Sequence, residues 1–291
     1  TYCFNASLRK LYKDKGPYVR RRSAENVMKE ILAVKAAESM RTVYFQDDTF
    51  TLNKPWLGHF LKEYQDRINL PFLCLITADS ITRELTGLLK RAGCIRAFFG
   101  IETGSETMRF QVLKKRISNE MIRNTGKWLK QARIRFRTYN MLGLPHETLE
   151  QAFSTVEINQ QVQPDYPWCS LYFPFPGTEL AETSQRENLW APKSSGQSTP
   201  RSFFETSDLQ NPIGDQLQNL QKLFFFAVRF PSLWPMIKRA IRIPPNPLFQ
   251  TLFLISYAFC YWKSENLSCM ELLKTAAHNM KPMFGKNVPR K

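Results

Sequence analysis

Residues 94–106 of the chain are CIRAFFGIETGSE, an apolar run followed by two glycines and a cluster of polar residues. The run Ile95–Phe99 is rich in β-branched and aromatic side chains, which is typical of a buried strand. Glu102 lies between Gly100 and Gly104, and a carboxylate is rarely buried in a hydrophobic core. Glycines permit close approach of the backbone to a ligand, so we expect this block to bind one at the end of a strand. The alternative is an ordinary tight turn from a strand into a helix.

The same unit, a short apolar run followed by a segment of helical period, recurs between residues 42 and 173. Strand–helix units of about 30 residues are typical of parallel sheets with right-handed crossovers. The chain is therefore predicted to be an α/β protein. The four other predicted strands are Thr42–Phe45, Phe72–Ile76, Phe136–Met141 and Trp168–Phe173.

Each intervening helix is predicted to begin at a residue that can cap or open it, because such residues satisfy the free amides of a first turn. Gly93 stands where a helix would end. The helix that begins at Ser23 precedes the first visible strand, so we expect a strand to be missing ahead of it. The predicted start residues are Ser23, Asp79 or Ser80, Ser118, and Pro145 with Glu147.

Five visible strands and one expected strand predict a partial (β/α)6 TIM-like barrel of parallel strands. It would lack its first strand and carry a mainly helical C-terminal extension. In such folds the chemistry lies at the carboxyl ends of the strands. We place the partial barrel in residues 1–185, a linker rich in Ser, Pro, Gln and Asn in residues 186–215, and the helical region in residues 216–291.

The charge balance limits the class of partner. The 291 residues include 41 Lys and Arg against 25 Asp and Glu, a net charge of +16. This excess favours nucleic acid, anionic membrane surfaces or phosphorylated substrates, and a solvated basic surface accounts for it equally well. The basic residues are spread along the predicted helices and loops, so nucleic-acid binding is disfavoured.

Cysteines and apolar stretches bear on the location of the protein. The six cysteines are scattered, which does not fit a secreted disulfide framework, and the reducing cytoplasm is the default. Two aromatic-rich stretches, 223–237 and 248–262, are each interrupted before the ~18 apolar residues of a membrane span. Lys238, Arg239 and Arg242 lie between them and keep peripheral membrane contact open.

The chain opens with Thr1-Tyr2-Cys3-Phe4-Asn5. This segment resembles the end of the radical S-adenosylmethionine (SAM) motif, Cys-x3-Cys-x2-Cys, whose last cysteine usually follows an aromatic residue. Four further blocks resemble the cobalamin-binding subgroup of that family and occur in the family's order. The chain is thereby identified as a member over residues 1–185, cut at its amino terminus just before the last motif cysteine. The four blocks are residues 44–51, 99–106, 139–148 and 171–180.

The resemblance implies roles for particular residues. Cys3 would be one of three thiolate ligands of a [4Fe-4S] cluster, and the other two cysteines would precede residue 1. Glu102 would accept hydrogen bonds from the ribose or the ammonium group of SAM, and Ser105 would bind its carboxylate. Arg137 would reach the cofactor from its strand, although a structural role is as well supported. The other implied cofactor-binding residues are Tyr2, Gln46, Asp47, Asp48, Gly143, Leu144, Leu171 and Tyr172.

The implied chemistry is the reductive cleavage of SAM to methionine and a 5′-deoxyadenosyl radical, which abstracts hydrogen from an unactivated carbon. In the cobalamin subgroup, a corrinoid held by an upstream domain can then deliver a methyl group. Methyl transfer and other C–H functionalisation both stay open. We expect a small apolar, lipid-like substrate, a flavodoxin or ferredoxin as electron donor, and no activity from the isolated chain, because one motif cysteine cannot hold the cluster.

Two other interpretations remain open from the residues alone. A basic nucleic-acid-binding or RNA-modifying protein would account for the net charge but not for the 99–106 block. A divalent-metal-dependent barrel enzyme would use Asp47, Asp48 and Glu102, since hard cations prefer carboxylate ligands.

Overall fold

A computed structural model describes residues 1–190, 207, 209–272 and 274–275. The predicted strands form one sheet in which all neighbours are parallel and the strand order follows the chain. This confirms the α/β partial barrel. The strands are β1 Val43–Phe45, β2 Phe72–Leu75, β3 Cys94–Glu102, β4 Arg135–Leu142 and β5 Tyr166–Leu171.

The helices alternate with the strands and continue after β5, so the mainly helical C-terminal extension is also confirmed. A short 3₁₀ helix, Pro231–Leu233, separates α9 from α10. Most of the predicted linker lies outside the described residues, and the proposed domain boundaries stay a prediction. The helices are α1 Asn5–Leu11, α2 Ala24–Ala37, α3 Lys54–Arg67, α4 Arg83–Arg91, α5 Glu106–Gln111, α6 Asn119–Gln131, α7 Leu149–Val162, α8 Glu179–Arg186, α9 Gly214–Arg229, α10 Trp234–Ala240 and α11 Pro247–Ser264.

Two of the predicted helix starts are confirmed and two are wrong. Ser23 and Ser118 cap α2 and α6 as expected. The start of α4 is Thr82, rather than Asp79 or Ser80, because the Thr82 hydroxyl accepts the amide of the first turn. The start of α7 is Thr148, which forms a capping box with Gln151 in place of the expected Pro145 and Glu147.

The core beneath the outer helices is dominated by aromatic side chains. Phe45 of β1 stacks on Phe50 with ring centroids 4.5 Å apart. It also makes edge contacts with Phe60, Tyr64 and Phe72 at 5.4 to 5.8 Å. These rings, all buried, join α3 to β1 and β2 and hold the first units of the sheet together.

Helix α9 packs on the same outer face of the sheet. Leu220 and Phe224 of α9 lie in one buried cluster with Leu142 of β4, Val156 of α7 and Cys169 of β5. The C-terminal region therefore supplies the outer layer that β5 needs. Among the described residues, no helix has the length and apolar character needed to span a membrane.

The opposite, inner face of the sheet is covered by α11. Tyr257 packs against Trp168 of β5 with ring centroids 4.4 Å apart. Just beyond α11, the Glu265 carboxylate pairs with Arg137 of β4 at 2.9 Å. Because Arg137 lies near the start of β4, these contacts fill the amino-terminal part of the inner face and leave the site to the carboxyl ends of the strands.

Candidate active site

A bulge at the end of β3 orients Glu102. Gly100 pairs with Tyr139 and Glu102 pairs with Asn140, so Ile101 is an extra residue without a partner on β4. Glu102 has φ of 69°, a left-handed conformation that residues with a Cβ rarely adopt. Such strain is common at ligand sites, and here it turns the carboxylate out of the alternation of the strand.

The Glu102 carboxylate has two partners. Lys115 Nζ donates to Oε1 at 2.9 Å and also donates to the Gly100 carbonyl oxygen at 2.9 Å. The Tyr2 hydroxyl donates to the same carboxylate oxygen at 3.1 Å. The side chains of Glu102 and Lys115 are 11% and 17% exposed, so the ion pair is largely shielded from solvent.

These contacts place the amino-terminal segment at the carboxyl end of β3. The Thr1 hydroxyl donates to the Val112 carbonyl oxygen at 2.8 Å, and the Leu180 amide donates to the Thr1 carbonyl oxygen at 3.2 Å. Burial and the nearby Glu102 carboxylate hold the pKa of the Tyr2 phenol well above its usual range. Cys3 follows directly and is partly exposed, so its thiol is accessible at this edge.

The loop after β1 lies on the same side of the molecule. Gln46, Asp47 and Asp48 are exposed. Asn5 Nδ2 donates to Asp48 Oδ2 at 2.7 Å, which links this loop to the start of α1. Their roles in binding stay predictions.

The two glycines of the 99–106 block have different surroundings. A Cβ at Gly100 would overlap the Glu102 carboxylate and lie 3.1 Å from Lys115 Nζ, so this glycine makes room for the ion pair. A Cβ at Gly104 would overlap the carbonyl oxygen of Ser154 in α7. The expectation that Gly104 permits approach to a ligand is therefore wrong, because its near neighbour is a helix. The Ser105 hydroxyl accepts the Met108 amide and caps α5.

The turn after β4 is built around a buried carboxylate. Glu147 is 4% exposed, and its Oε2 accepts the amides of Gly143 at 2.5 Å and Leu144 at 3.4 Å. Burial raises the pKa of Glu147 to about 7, against the opposing effect of these hydrogen bonds. Gly143 has φ of 79°, which favours glycine. The His146 ring lies on the surface, 2.7 Å from the Glu187 carboxylate.

One small apolar cluster joins several predicted site residues. Leu144 and Tyr172 are buried in it, and Tyr2 packs against it. Leu171 lies beside Gly143, within 4.0 Å of where a Cβ would be. Leu171, however, packs in the outer-face cluster with α9, so the predicted site residues that come together in the small cluster are Tyr2, Leu144 and Tyr172.

Arg137 is not part of that group. It lies three positions before Asn140, the β4 partner of Glu102, so it sits about 10 Å nearer the amino ends of the strands. Its guanidinium lies 4.8 Å from the Phe98 ring centroid and pairs with Glu265. These contacts give Arg137 a packing role in the inner face, and contact with a cofactor stays a prediction.

Sequence reasoning missed two residues of the site. Lys115 lies 13 residues after Glu102, in a basic loop with no periodic pattern. Arg109 lies on α5 and is fully buried, although arginine in a short helix reads as a surface residue. The only local signal for Lys115 was its position in the run Lys114-Lys115-Arg116, which is equally typical of a solvated loop.

A profile of the Radical SAM superfamily matches residues 1–157. The chain belongs to the radical SAM superfamily. The fold expected from the resemblance and the expectation of a radical SAM enzyme are confirmed, and the reaction class stays open. Membership brings with it the [4Fe-4S] cluster and SAM as cofactors, as expected.

Three known proteins each match part of this radical SAM chain. An uncharacterized methyltransferase of Pyrococcus horikoshii is 26% identical over 168 residues, which are 57% of this chain and 36% of the relative. The radical SAM methyltransferase TsrM of Kitasatospora setae, solved with tryptophan substrate and a SAM analogue, matches 88% of this chain and 57% of its own at 16% identity and TM-score 0.60. The cobalamin-dependent radical SAM enzyme OxsB matches 90% of this chain and 46% of its own at 14% identity and TM-score 0.53. The matched part of this chain thus spans between 36% and 57% of these proteins' own length.

The residues present fit SAM and part of the cluster. Cys3 provides one accessible thiol, whereas Cys74 and Cys94 are buried on the outer face with sulfur atoms 4.0 Å apart. Glu102 is held by Lys115 and does not join Asp47 or Asp48. Within the described residues no three His, Cys, Asp or Glu side chains are grouped to bind a metal ion. The described residues therefore do not form the carboxylate site that the divalent-metal interpretation needs.

Proposed function

We propose that this chain is the SAM-binding part of a radical SAM enzyme that functionalises a C–H bond of a small, largely apolar molecule, by methyl transfer with cobalamin. The observation that carries the proposal is the Tyr2–Glu102–Lys115 cluster. It joins the cysteine-bearing amino-terminal segment to the carboxyl end of β3, two regions 100 residues apart in the chain. A cysteine ligand of the iron–sulfur cluster and a polar site for SAM must be adjacent for this chemistry.

The chain's own residues bind and orient the cofactor. Cys3 would contribute one thiolate to the cluster, which, when bound, supplies the electron that breaks the C5′–S bond of SAM. The Glu102 carboxylate retains free lone pairs for the ammonium or ribose hydroxyls of SAM. Lys115 has three donors and uses two within the protein, which leaves one for the SAM carboxylate.

The apolar surroundings exclude water and support the adenine side of the site. Leu144 and Tyr172 are buried in the apolar cluster against which Tyr2, the hydrogen-bond partner of Glu102, packs. Removal of water strengthens the charge interactions between the cofactor and Glu102 or Lys115.

Cobalamin, the electron donor and the substrate class are the finer parts of the proposal. TsrM and OxsB resemble this chain in fold; TsrM was solved with cobalamin bound and OxsB is cobalamin-dependent, and this supports corrinoid use by the complete protein. A flavodoxin or ferredoxin would supply the electron. An apolar substrate, with peripheral contact to a membrane, is supported by exposed Leu248, Ile255 and Phe259 on α11 and by the basic Lys238 and Arg239 in the last turn of the preceding helix, α10.

The test is SAM cleavage by the protein expressed from its complete coding sequence. After anaerobic reconstitution and reduction, the wild type should form 5′-deoxyadenosine and methionine from SAM. Glu102→Gln should lower the rate at least about tenfold, as expected for loss of a charged hydrogen-bond acceptor. Glu150→Gln, the same change on the exposed first turn of α7, is the matched control and should leave the rate unchanged.

Two results would overturn the proposal. The first is a wild-type protein that holds a full complement of iron and sulfide yet neither binds nor cleaves SAM. The second is equal activity of the Glu102 and Glu150 variants. Corrinoid use has its own assay, because incubation with hydroxocobalamin followed by desalting should leave a corrinoid absorption spectrum on the protein, and its absence would remove that part alone.

A further inference from the structure

Arg109 is a fully buried cation, and no carboxylate among the described residues is bonded to it. Its Nε donates to the Ile101 carbonyl oxygen at 3.2 Å, and its Nη1 donates to that of Ile117 at 2.8 Å. Its Nη2 donates to the Thr103 carbonyl oxygen and to Asn119 Oδ1, the latter at 2.9 Å. Burial lowers the pKa of Arg109 to about 10, so it remains protonated at neutral pH. Burying such a charge among neutral acceptors costs free energy. We attribute the presence of Arg109 to the backbone around Glu102 and Lys115, which its hydrogen bonds hold in place.

Two of these bonds hold the backbone on both sides of Glu102. Ile101 is the extra residue of the β3 bulge, and Thr103 is the residue after Glu102. The left-handed φ of Glu102 is disfavoured in isolation. With its flanking carbonyl oxygens bound to a single planar guanidinium, the strained conformation is held and the carboxylate keeps its direction.

The same residue holds the loop that carries Lys115. The Lys115 amide donates to the Arg109 carbonyl oxygen at 2.9 Å, and the Ile117 carbonyl oxygen accepts from the guanidinium. The Ile117 amide donates in turn to the Lys115 carbonyl oxygen at 3.0 Å. Lys115 is therefore fixed from its amide and from two residues beyond it.

We infer that Arg109 is a positioning residue for SAM: its buried guanidinium ties the Glu102 bulge to the Lys115 loop, so that the carboxylate and the ammonium group face the cofactor together. This inference rests on the proposed function. It predicts that Arg109 affects SAM affinity through Glu102 and Lys115, without touching SAM.

The test is a double-mutant cycle on SAM affinity in the complete, cluster-reconstituted protein. Equilibrium dialysis of SAM gives Kd for the wild type, Arg109→Lys, Glu102→Gln and the double variant, at a temperature where each is folded. Lysine keeps the charge but cannot reach four acceptors. Arg109→Lys should raise Kd about tenfold or more, and adding it to Glu102→Gln should raise Kd by a clearly smaller factor, because the part of its effect that acts through Glu102 is already lost.

Arg96→Lys is the matched control. Arg96 is also buried on β3, where its Nη2 donates to Asn266 at 3.2 Å, away from the bulge. It should lower stability while Kd stays within about twofold of the wild type, which separates a fold-wide effect from positioning. If Arg109→Lys does not fold, Asn119→Ala replaces it in the cycle, since it removes one acceptor of the same guanidinium.

The outcomes are separable. An unchanged Kd in the Arg109 or Asn119 variant, or losses that add to that of Glu102→Gln, overturns the inference. Equal weakening by Arg96→Lys overturns it too. If the wild type itself does not bind SAM, the proposed function is refuted instead.

Discussion

Replacing Gly104 by alanine should destabilise the protein through a collision between β3 and α7. The new Cβ would lie 2.5 Å from the Thr155 nitrogen and closer still to the Ser154 carbonyl oxygen, whereas an ordinary contact needs 3.4 Å. The strand end and the helix must therefore separate by about 1.4 Å, at a cost of roughly 1–3 kcal/mol for overpacking. The bond from the Gly104 amide to Thr155 Oγ1, 2.8 Å long, would stretch and lose about 1 kcal/mol more.

The expected loss in the free energy of unfolding is about 2–4 kcal/mol, measured by the urea midpoint from circular dichroism. Gly58→Ala is the matched control, because a Cβ there meets nothing within 4 Å in the middle of α3. Alanine is the better helix former, so this variant should gain about 0.5–1 kcal/mol. A Gly104→Ala midpoint at or above that of the wild type would refute the packing argument.

Three further changes test other parts of the structure. The pKa of Glu147 is raised to about 7 from 4.5, so its contribution to stability is greatest below pH 4.5 and declines by about 3 kcal/mol as pH rises through 7. Glu147→Gln should remove this decline, and parallel profiles of midpoint against pH for the two proteins would contradict it. Thr148→Ala breaks the capping box with Gln151 and should cost about 1 kcal/mol by urea denaturation; an unchanged midpoint would argue against the cap. Glu265→Gln leaves the buried Arg137 charge unpaired and should cost roughly 3 kcal/mol, and recovery in a double variant with Arg137→Met is the check.

The strands and their order could be predicted from the sequence because their signals are local. A run such as Phe72–Ile76 is apolar and short, it begins after Pro71 and ends before Thr77, and each run is followed by a helical pattern that requires a parallel crossover. Caps at Ser23 and Ser118 were equally readable, since a cap acts within three residues. The start of α7 was not, because the Glu147 carboxylate turns back to the Gly143 amide and leaves the cap to Thr148.

Glu102 could be singled out from residue type and neighbours alone, because a carboxylate between two glycines is unusual in a core. Cys3 is identified only through the family resemblance of its segment and of the blocks that follow it. Long-range partners could not be predicted from the sequence. Tyr2 meets Glu102 across 100 residues, and Arg137 meets Ser264 across 127. Contacts of that range leave no periodicity or cap in the chain. Their energy exists only once the sheet has closed and brought the side chains out of water into one place.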